Sequence, residues 1–258
     1  MELTWWGTAG FRFRSGDDVF LIDPYLTRNP KARPRIGMTA GDVRDGSHIF
    51  ISHGHFDHLL DVAAIAGRTG ARVHCDPVAA GTLTRQGLAP DRITKVSSDG
   101  QSFDFGEWQA KAFHAKHVKF DARLVLSTLA KVNFRLFGLR PLMKDYPCGQ
   151  VLAWRFQLEG RSVLHFGSAG LSPEELRPLA AEPPDVLMVP LQGHTEICRI
   201  ALEHVLALKP RIVIPHHQDD FYPPVSRMVD IRPFVEGVRR EAPGTEVLTL
   251  EPERPVTL

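Results

Sequence analysis

Hydrophobic and polar positions alternate from the first residues. ELTWWG, GFRFRS and DVFLIDP each read as a strand, and SGDD supplies the turn between the second and third. The chain therefore begins as an antiparallel meander. HIFIS is a short continuous apolar run, the pattern of a buried strand, and LLDVAAIAG after it has helical spacing with Gly67 as its stop. A strand near Arg72 to Cys75 and a helix near Val78 to Gln86 follow. The pattern then restarts with SFDFG and WQAKAFHAKH, as though a second half repeated the first. Later strands are predicted at VLAWRFQLE, SVLHFG, DVLMVP and RIVIP, with helices near Pro173 to Ala181, Glu196 to Leu208 and Ser226 to Glu241. The sum is an α/β fold with two sheets flanked by helices.

Composition narrows this picture without changing it. With 258 residues, 43% hydrophobic and 24% charged, and no linker-like stretch, one domain over residues 1–258 is expected. No run of about eighteen apolar residues occurs, and MELTWWGTAG lacks a basic stretch followed by an apolar one. A cytoplasmic protein is expected. The 3 cysteines, Cys75, Cys148 and Cys198, are odd in number and lack CxxC spacing, which argues against a disulfide framework or a thiolate zinc site. A formal net charge of +1 argues against generic nucleic-acid binding. Nothing in the pattern sets an oligomeric state.

Candidate chemistry concentrates in SHGHFDHL, where His53, His55, Asp57 and His58 follow a buried strand and precede a helix. Imidazole nitrogen and carboxylate oxygen suit zinc, as one or two ions, and also admit manganese or iron. Four side chains on so short a loop do not fit comfortably around one ion. His53 and His55 can serve one, while Asp57 and His58 serve a neighbour at roughly 3.5–4 Å, the usual separation in two-metal hydrolytic sites. The alternative is a polar loop whose histidines cap the following helix.

The segment SHGHFDH, preceded by LIDP and followed by histidines at later strand ends, resembles the metallo-β-lactamase superfamily. The opening WWGTAGFRFRSGDDVFLIDPYL is most similar to the branch of ascorbate-6-phosphate lactonase-like proteins and N-acylphosphatidylethanolamine phospholipase D. The resemblance covers nearly the whole chain and implies a four-layer αβ/βα sandwich. It implies that the first metal takes a third ligand after FGEW, at His117 rather than His114, which on a regular strand would point to the opposite face. It implies that the isoleucine-proline-x-histidine pattern supplies the last ligand at His217, with His216 in the variable position. Asp23 in LIDP would orient the histidine loop, or merely begin a turn before proline.

One position departs from the family. Where a bridging aspartate is expected, HFGSAG places Ser168, and a neutral hydroxyl offsets the repulsion between two close cations poorly. The site of His53, His55 and His117 is therefore expected to hold its ion more tightly than that of Asp57, His58 and His217. Asp219, Asp220 and Glu196 are candidate compensating carboxylates, each also readable as a surface or helix-end acid. His194 in PLQGHTE is a candidate substrate-binding residue, and Tyr25 and Tyr222 stand near site-adjacent turns. His165 reads as strand core, and His48, His74 and His204 as structural.

Residues 119–148 form a cap insertion in this reading. Lys119, Arg123, Lys131, Arg135, Arg140 and Lys144 accompany Leu and Phe there, with Asp121 the one acid as far as Lys144. Such a segment can cap the cleft and attract an anionic or acyl-bearing small molecule, contact a membrane surface or another subunit through 119–144, or simply pack on the scaffold. The resemblance implies a hydrolase that directs hydroxide held by its metals at an ester, lactone or phosphodiester, with Asp57 orienting the nucleophile. The other reading, carried by Ser168, is a metal- or ligand-binding protein that has lost hydrolysis.

Overall fold

The computed structural model describes residues 1–129 and 139–258, and only the backbone of 127–129 and 139–141. The opening meander forms as β1 (Glu2–Trp5), β2 (Phe11–Ser15) and β3 (Asp18–Ile22), followed by β4 (His48–Phe50), β5 (Arg72–Cys75) and β6 (Ile93–Lys95). With β14 (Pro255–Thr257) these make a sheet of order β14-β1-β2-β3-β4-β5-β6. Pairing is antiparallel from β14 to β3 and parallel from β3 to β6.

The second sheet repeats that plan. Its strands are β7 (Gln101–Asp104), β8 (Trp108–Ala115), β9 (Val151–Leu158), β10 (Arg161–Phe166), β11 (Val186–Pro190), β12 (Ile212–His216) and β13 (Glu246–Val247). They run antiparallel from β7 to β10 and parallel from β10 to β13. Parallel strands need crossovers, and these place helices on the outer faces. On the first sheet they are α1 (Phe56–Leu59), α2 (Val62–Thr69) and α3 (Pro77–Arg85). The segment before β9 carries α4 (Ala122–Leu129) and α5 (Leu139–Asp145), and α6 (Pro173–Ala180), α7 (Ile197–Leu208) and α8 (Arg232–Glu241) cover the second sheet.

Three apolar layers hold the sandwich together. Between the sheets, Phe11, Phe13, Phe20 and Phe50 meet Trp154, Phe156, Met188 and Ile214. Outside the first sheet, Leu21, Ile49 and Val73 pack on Ile65 and Leu83, and outside the second, Leu164, Leu187 and Val213 pack on Leu176, Val205 and Phe234. Each fully buried Phe or Leu contributes about 1.5–3 kcal/mol, so burial between layers dominates the stabilisation. The parallel halves of both sheets end at the same edge of the sandwich, where the loops after β4, β8, β10 and β12 converge.

Some expected boundaries move. Gly67 does not stop the second helix. That helix continues to Thr69 and ends at Gly70, whose φ of 80° supplies the left-handed cap that a side chain disfavours. The last helix starts at Arg232 rather than Ser226, because Ser226 is held in a turn, its Oγ donating to Asp220 and accepting from the Tyr222 amide. The WQAKAFHAKH strand stops at Ala115, which leaves His117 outside it. Among the described residues no helix is long and apolar enough to cross a membrane.

Of the expected structural histidines, His74 and His204 are buried and His48 is half-buried. Burial pushes His204 down to about 4, only partly offset by its hydrogen bond with the Ile200 carbonyl, and burial likewise pushes His74 down to about 3. The unfolded chain takes up protons on these rings as pH falls below about 6.5 while the folded chain does not, so stability present above that pH is lost toward pH 4. The thermal midpoint should fall through this window. In His204→Leu the fall should be shallower, and identical acid limbs by calorimetry would remove His204 from the account.

Candidate metal centre

The loop after β4 is fixed before it presents any ligand. The Gly54 amide donates to the Cys148 carbonyl at 2.8 Å, the Leu152 amide to the Ser52 carbonyl at 2.7 Å, and Trp154 Nε1 to the Ile51 carbonyl at 3.0 Å. These bonds dock it on the second sheet. Two groups of side chains then gather, His53 with His55 and His117, and Asp57 with His58 and His217, each with potential ligand atoms within 4.8 Å of one another. A tetrahedral ion with bonds of about 2.0–2.1 Å needs such atoms about 3.4 Å apart, so modest side-chain movement closes either group on a metal. Within the groups, His53 Nε2 lies 3.2 Å from His55 Nδ1, and Asp57 Oδ2 lies 3.3 Å from His217 Nε2 and 3.7 Å from His58 Nε2. The groups adjoin, since the rings of His53 and His58 are 4.0 Å apart.

Hydrogen bonds behind the ligands assign their tautomers. Asp23 is buried at the end of β3; its Oδ1 accepts from the Ser52 amide at 2.7 Å and its Oδ2 from Ser52 Oγ at 2.5 Å and His58 Nδ1 at 2.8 Å. With its proton committed to Asp23, Ser52 Oγ can accept from His53 Nδ1 at 3.0 Å. His117 Nδ1 donates to the Val118 carbonyl at 2.8 Å. Each of these rings therefore turns a bare Nε2 toward the site, the form a metal requires.

Electrostatics separates the groups. Burial holds His53 and His117 below the ordinary imidazole value and pushes His55 down to about 4, so this group is neutral at pH 7. Burial opposes a charge on His58 too, but Asp23 and Asp57 together outweigh it and raise its pKa. Burial would raise Asp57, yet His58 and His217 hold it well below the usual carboxylate range. The donor set fits divalent ions: a neutral three-histidine pocket beside one with a permanent carboxylate.

Other candidates take different places. His114 is exposed on β8, whereas His117 follows the strand end and faces His53 and His55 with ring centroids 5.1 and 4.8 Å away. His216 turns into the interior and stacks on His165 at 5.0 Å, away from His217. Ser168 lines the cleft, and its Oγ accepts the Val118 amide at 2.9 Å, bracing the backbone that carries His117. No compensating carboxylate enters from the three named: Asp219 binds Thr8 and Arg28, Asp220 binds Ser226, and Glu196 pairs with Arg199 on the surface. His194 stands beside the lining residue Gly193, with Nδ1 accepting the Glu196 amide at 3.0 Å and 3.5 Å from Asp121. Tyr25 is buried against Phe56 and Phe221, and Tyr222 contacts Phe56.

A family model described as a beta-lactamase superfamily domain matches residues 2–217, a span that contains both groups of ligands. The chain belongs to the metallo-β-lactamase superfamily. A metal-dependent hydrolase of Carboxydothermus hydrogenoformans is 30% identical over 262 residues, covering 100% of both chains, and one from Methylobacterium nodulans is 28% identical over 86% of each. The chain stands with these among the metal-dependent hydrolases of the superfamily. Solved structures share the fold: a metallo hydrolase of Ignicoccus hospitalis has a TM-score of 0.71 at 22% identity, covering 99% of this chain and 97% of its own. A diiron beta-hydroxylase of Streptomyces venezuelae has a TM-score of 0.67 at 21% identity, covering 100% of this chain and 54% of its own. Metallo-β-lactamase architecture thus does not by itself name a reaction.

Asp23→Asn keeps the shape but loses the charge that both groups lean on. Its metal affinity should drop about 10–100-fold, the usual cost of losing a partner behind a ligand. His117→Ala should release one ion per chain and His114→Ala none. Metal content under graded chelation checks all three, and equal loss from the two histidine variants would reverse the assignment.

Proposed function

We propose that this metal-dependent hydrolase cleaves an ester, lactone or phosphodiester bond in a small molecule with an apolar arm, using zinc or a similar divalent ion. The observation that carries the reading is the cleft over the metal centre. Its volume is about 390 Å³, and beside the ligands it is lined by Phe56, Val118, Phe120, Leu124, Val125, Met143, Tyr146, Phe221 and Val225. A concave apolar wall with a few convergent polar groups is what binds and orients a small molecule.

When bound, the ions would acidify a water and polarise the carbonyl or phosphoryl oxygen. The chain's own residues do the rest. His53, His55 and His117 would hold one ion, and Asp57, His58 and His217 the other. Asp57, kept ionised, can accept a hydrogen bond from the attacking water and orient it. Phe56 and Phe221 line the cleft beside Asp57 and His217, and their apolar rings lower the local dielectric, which strengthens polar interactions there. His194 is one residue removed from the lining, behind Gly193, and a role in substrate binding would act through that loop.

The basic character of the insertion does not reach the described wall. Lys119, Arg123 and Lys144 are absent from the lining, and Lys131, Arg135 and the Arg140 side chain lie outside the described residues. Among the described residues, Arg227 is the Lys or Arg side chain that lines the cleft. An anionic group is therefore received at the rim, with the apolar arm inside. The opening segment remains the support for a kinship with the lactonase and phosphodiesterase branch, and the free thiols and modest net charge support a cytoplasmic protein without nucleic-acid partners. Ser168 favours a second reading, a non-hydrolytic binder. Stoichiometric metal with no turnover on ester, lactone and phosphodiester panels would establish that instead.

For a series of esters of increasing acyl length, kcat/KM should rise until the cleft is filled. Val125→Asp should depress long-chain esters about tenfold more than acetyl esters, because each buried methylene contributes about 0.8 kcal/mol. A flat chain-length profile would remove the apolar arm. Arg227→Gln should weaken anionic substrates more than neutral ones, and less so at high salt; equal losses would remove the rim contact.

A further inference from the structure

The loop that supplies His217 is held in an unusual shape. His217 has φ of 59°, in the left-handed region that residues with a side chain seldom occupy, so something nearby has to hold it there. Its amide donates to the Thr8 carbonyl at 2.9 Å. Thr8 is itself left-handed, with φ of 50°, and fully buried in the turn between β1 and β2. The turn in its turn is held from the other side: the Thr8 amide donates to both oxygens of Asp219, at 3.1 and 3.0 Å.

Asp219 is fully buried, and its charge is met by Arg28, whose side chain is almost completely buried. Gly7 makes the approach possible: a Cβ there would meet Arg28 Nη1 at 2.5 Å, and its φ of 83° suits glycine. The carbonyl of Thr8 is fixed further by Trp5 Nε1 at 3.0 Å. A closed circuit results, running from Asp219 to the Thr8 amide, through Thr8 to its carbonyl, and on to the amide of His217, two residues before Asp219. An ionised carboxylate without such partners is costly in the interior, so the circuit is tightly specified.

We infer that Asp219, paired with Arg28, is a positioning residue that holds His217 at the angle the second metal group needs. This rests on the reading of Asp57, His58 and His217 as one ion's ligands. Asp219 reaches no ion itself, because its oxygens face Thr8 and Arg28. The three-histidine group is supported apart from the circuit: Ser52 links His53 to Asp23, His55 lies against His53, and Ser168 braces the backbone beside His117.

The test compares zinc-loaded wild type, Asp219→Asn and the paired variant Asp219→Leu with Arg28→Met, which removes both charges together and strands neither. Zinc per chain is measured under graded chelator, alongside the thermal midpoint of each metal-free protein. The surviving ion is assigned by its loss on adding His117→Ala. Expected is a loss of affinity of about tenfold or more for the Asp57, His58 and His217 ion, with the other unchanged. If Asp219→Asn does not fold, the paired variant decides on the same readout. Loss of both ions in proportion, or of neither, overturns the inference and leaves the two-group reading intact. A wild type that retains one ion per chain overturns both.

Discussion

A carboxylate buried away from solvent dictates the arrangement of this protein's working edge. Asp23 is fully buried, and an ionised group in that position has to find donors for its oxygens or lose its charge. The Ser52 amide, the Ser52 hydroxyl and the His58 imidazole supply them. Satisfying those bonds pins the end of β3 to the loop after β4. The same bonds decide which nitrogen of His53 and of His58 is left bare. One charge therefore sets both the path of the backbone and the protonation of two ligands from different metal groups.

Much of this was legible in the sequence because it is local. The density of His53, His55, Asp57 and His58 survives any uncertainty in fold, and strand alternation places that loop at a strand end whatever the neighbours do. What was not legible depends on where elements stop and whom they meet. Parity along β8 sets His114 apart from His117 only while the strand lasts, and the strand ends at Ala115. Gly67 looks like a helix stop, yet the helix tolerates it and ends at the next glycine. Asp219 reads as a loop acid until Thr8 and Arg28, remote in sequence, close around it. The cations of 119–144 are prominent in a string of letters, whereas the cleft is shaped by the Phe120, Leu124, Val125 and Met143 side chains among them.

The exchange of an aspartate for Ser168 also looks different in three dimensions. Its hydroxyl has a partner in the backbone next to His117, so the position contributes to the three-histidine group by bracing it. The asymmetry in charge is then built into the two groups: neutral imidazoles in one, and in the other a carboxylate beside a histidine whose pKa is raised. Metals and protons compete on different terms at the two positions.

The ligands also come from both sheets. His53, His55, Asp57 and His58 hang from the first, whereas His117 and His217 follow strands of the second. An ion in either group would be a cross-link between the two halves of the sandwich, made at the edge where the interlayer core gives way to a cleft. Because these segments come together only in the folded chain, the binding free energy of such an ion would add to the stability of the fold. Metal supply would thus govern the seam as well as the chemistry: a loaded molecule is stitched shut at this end, and a stripped one is left to the grip of its aromatic filling.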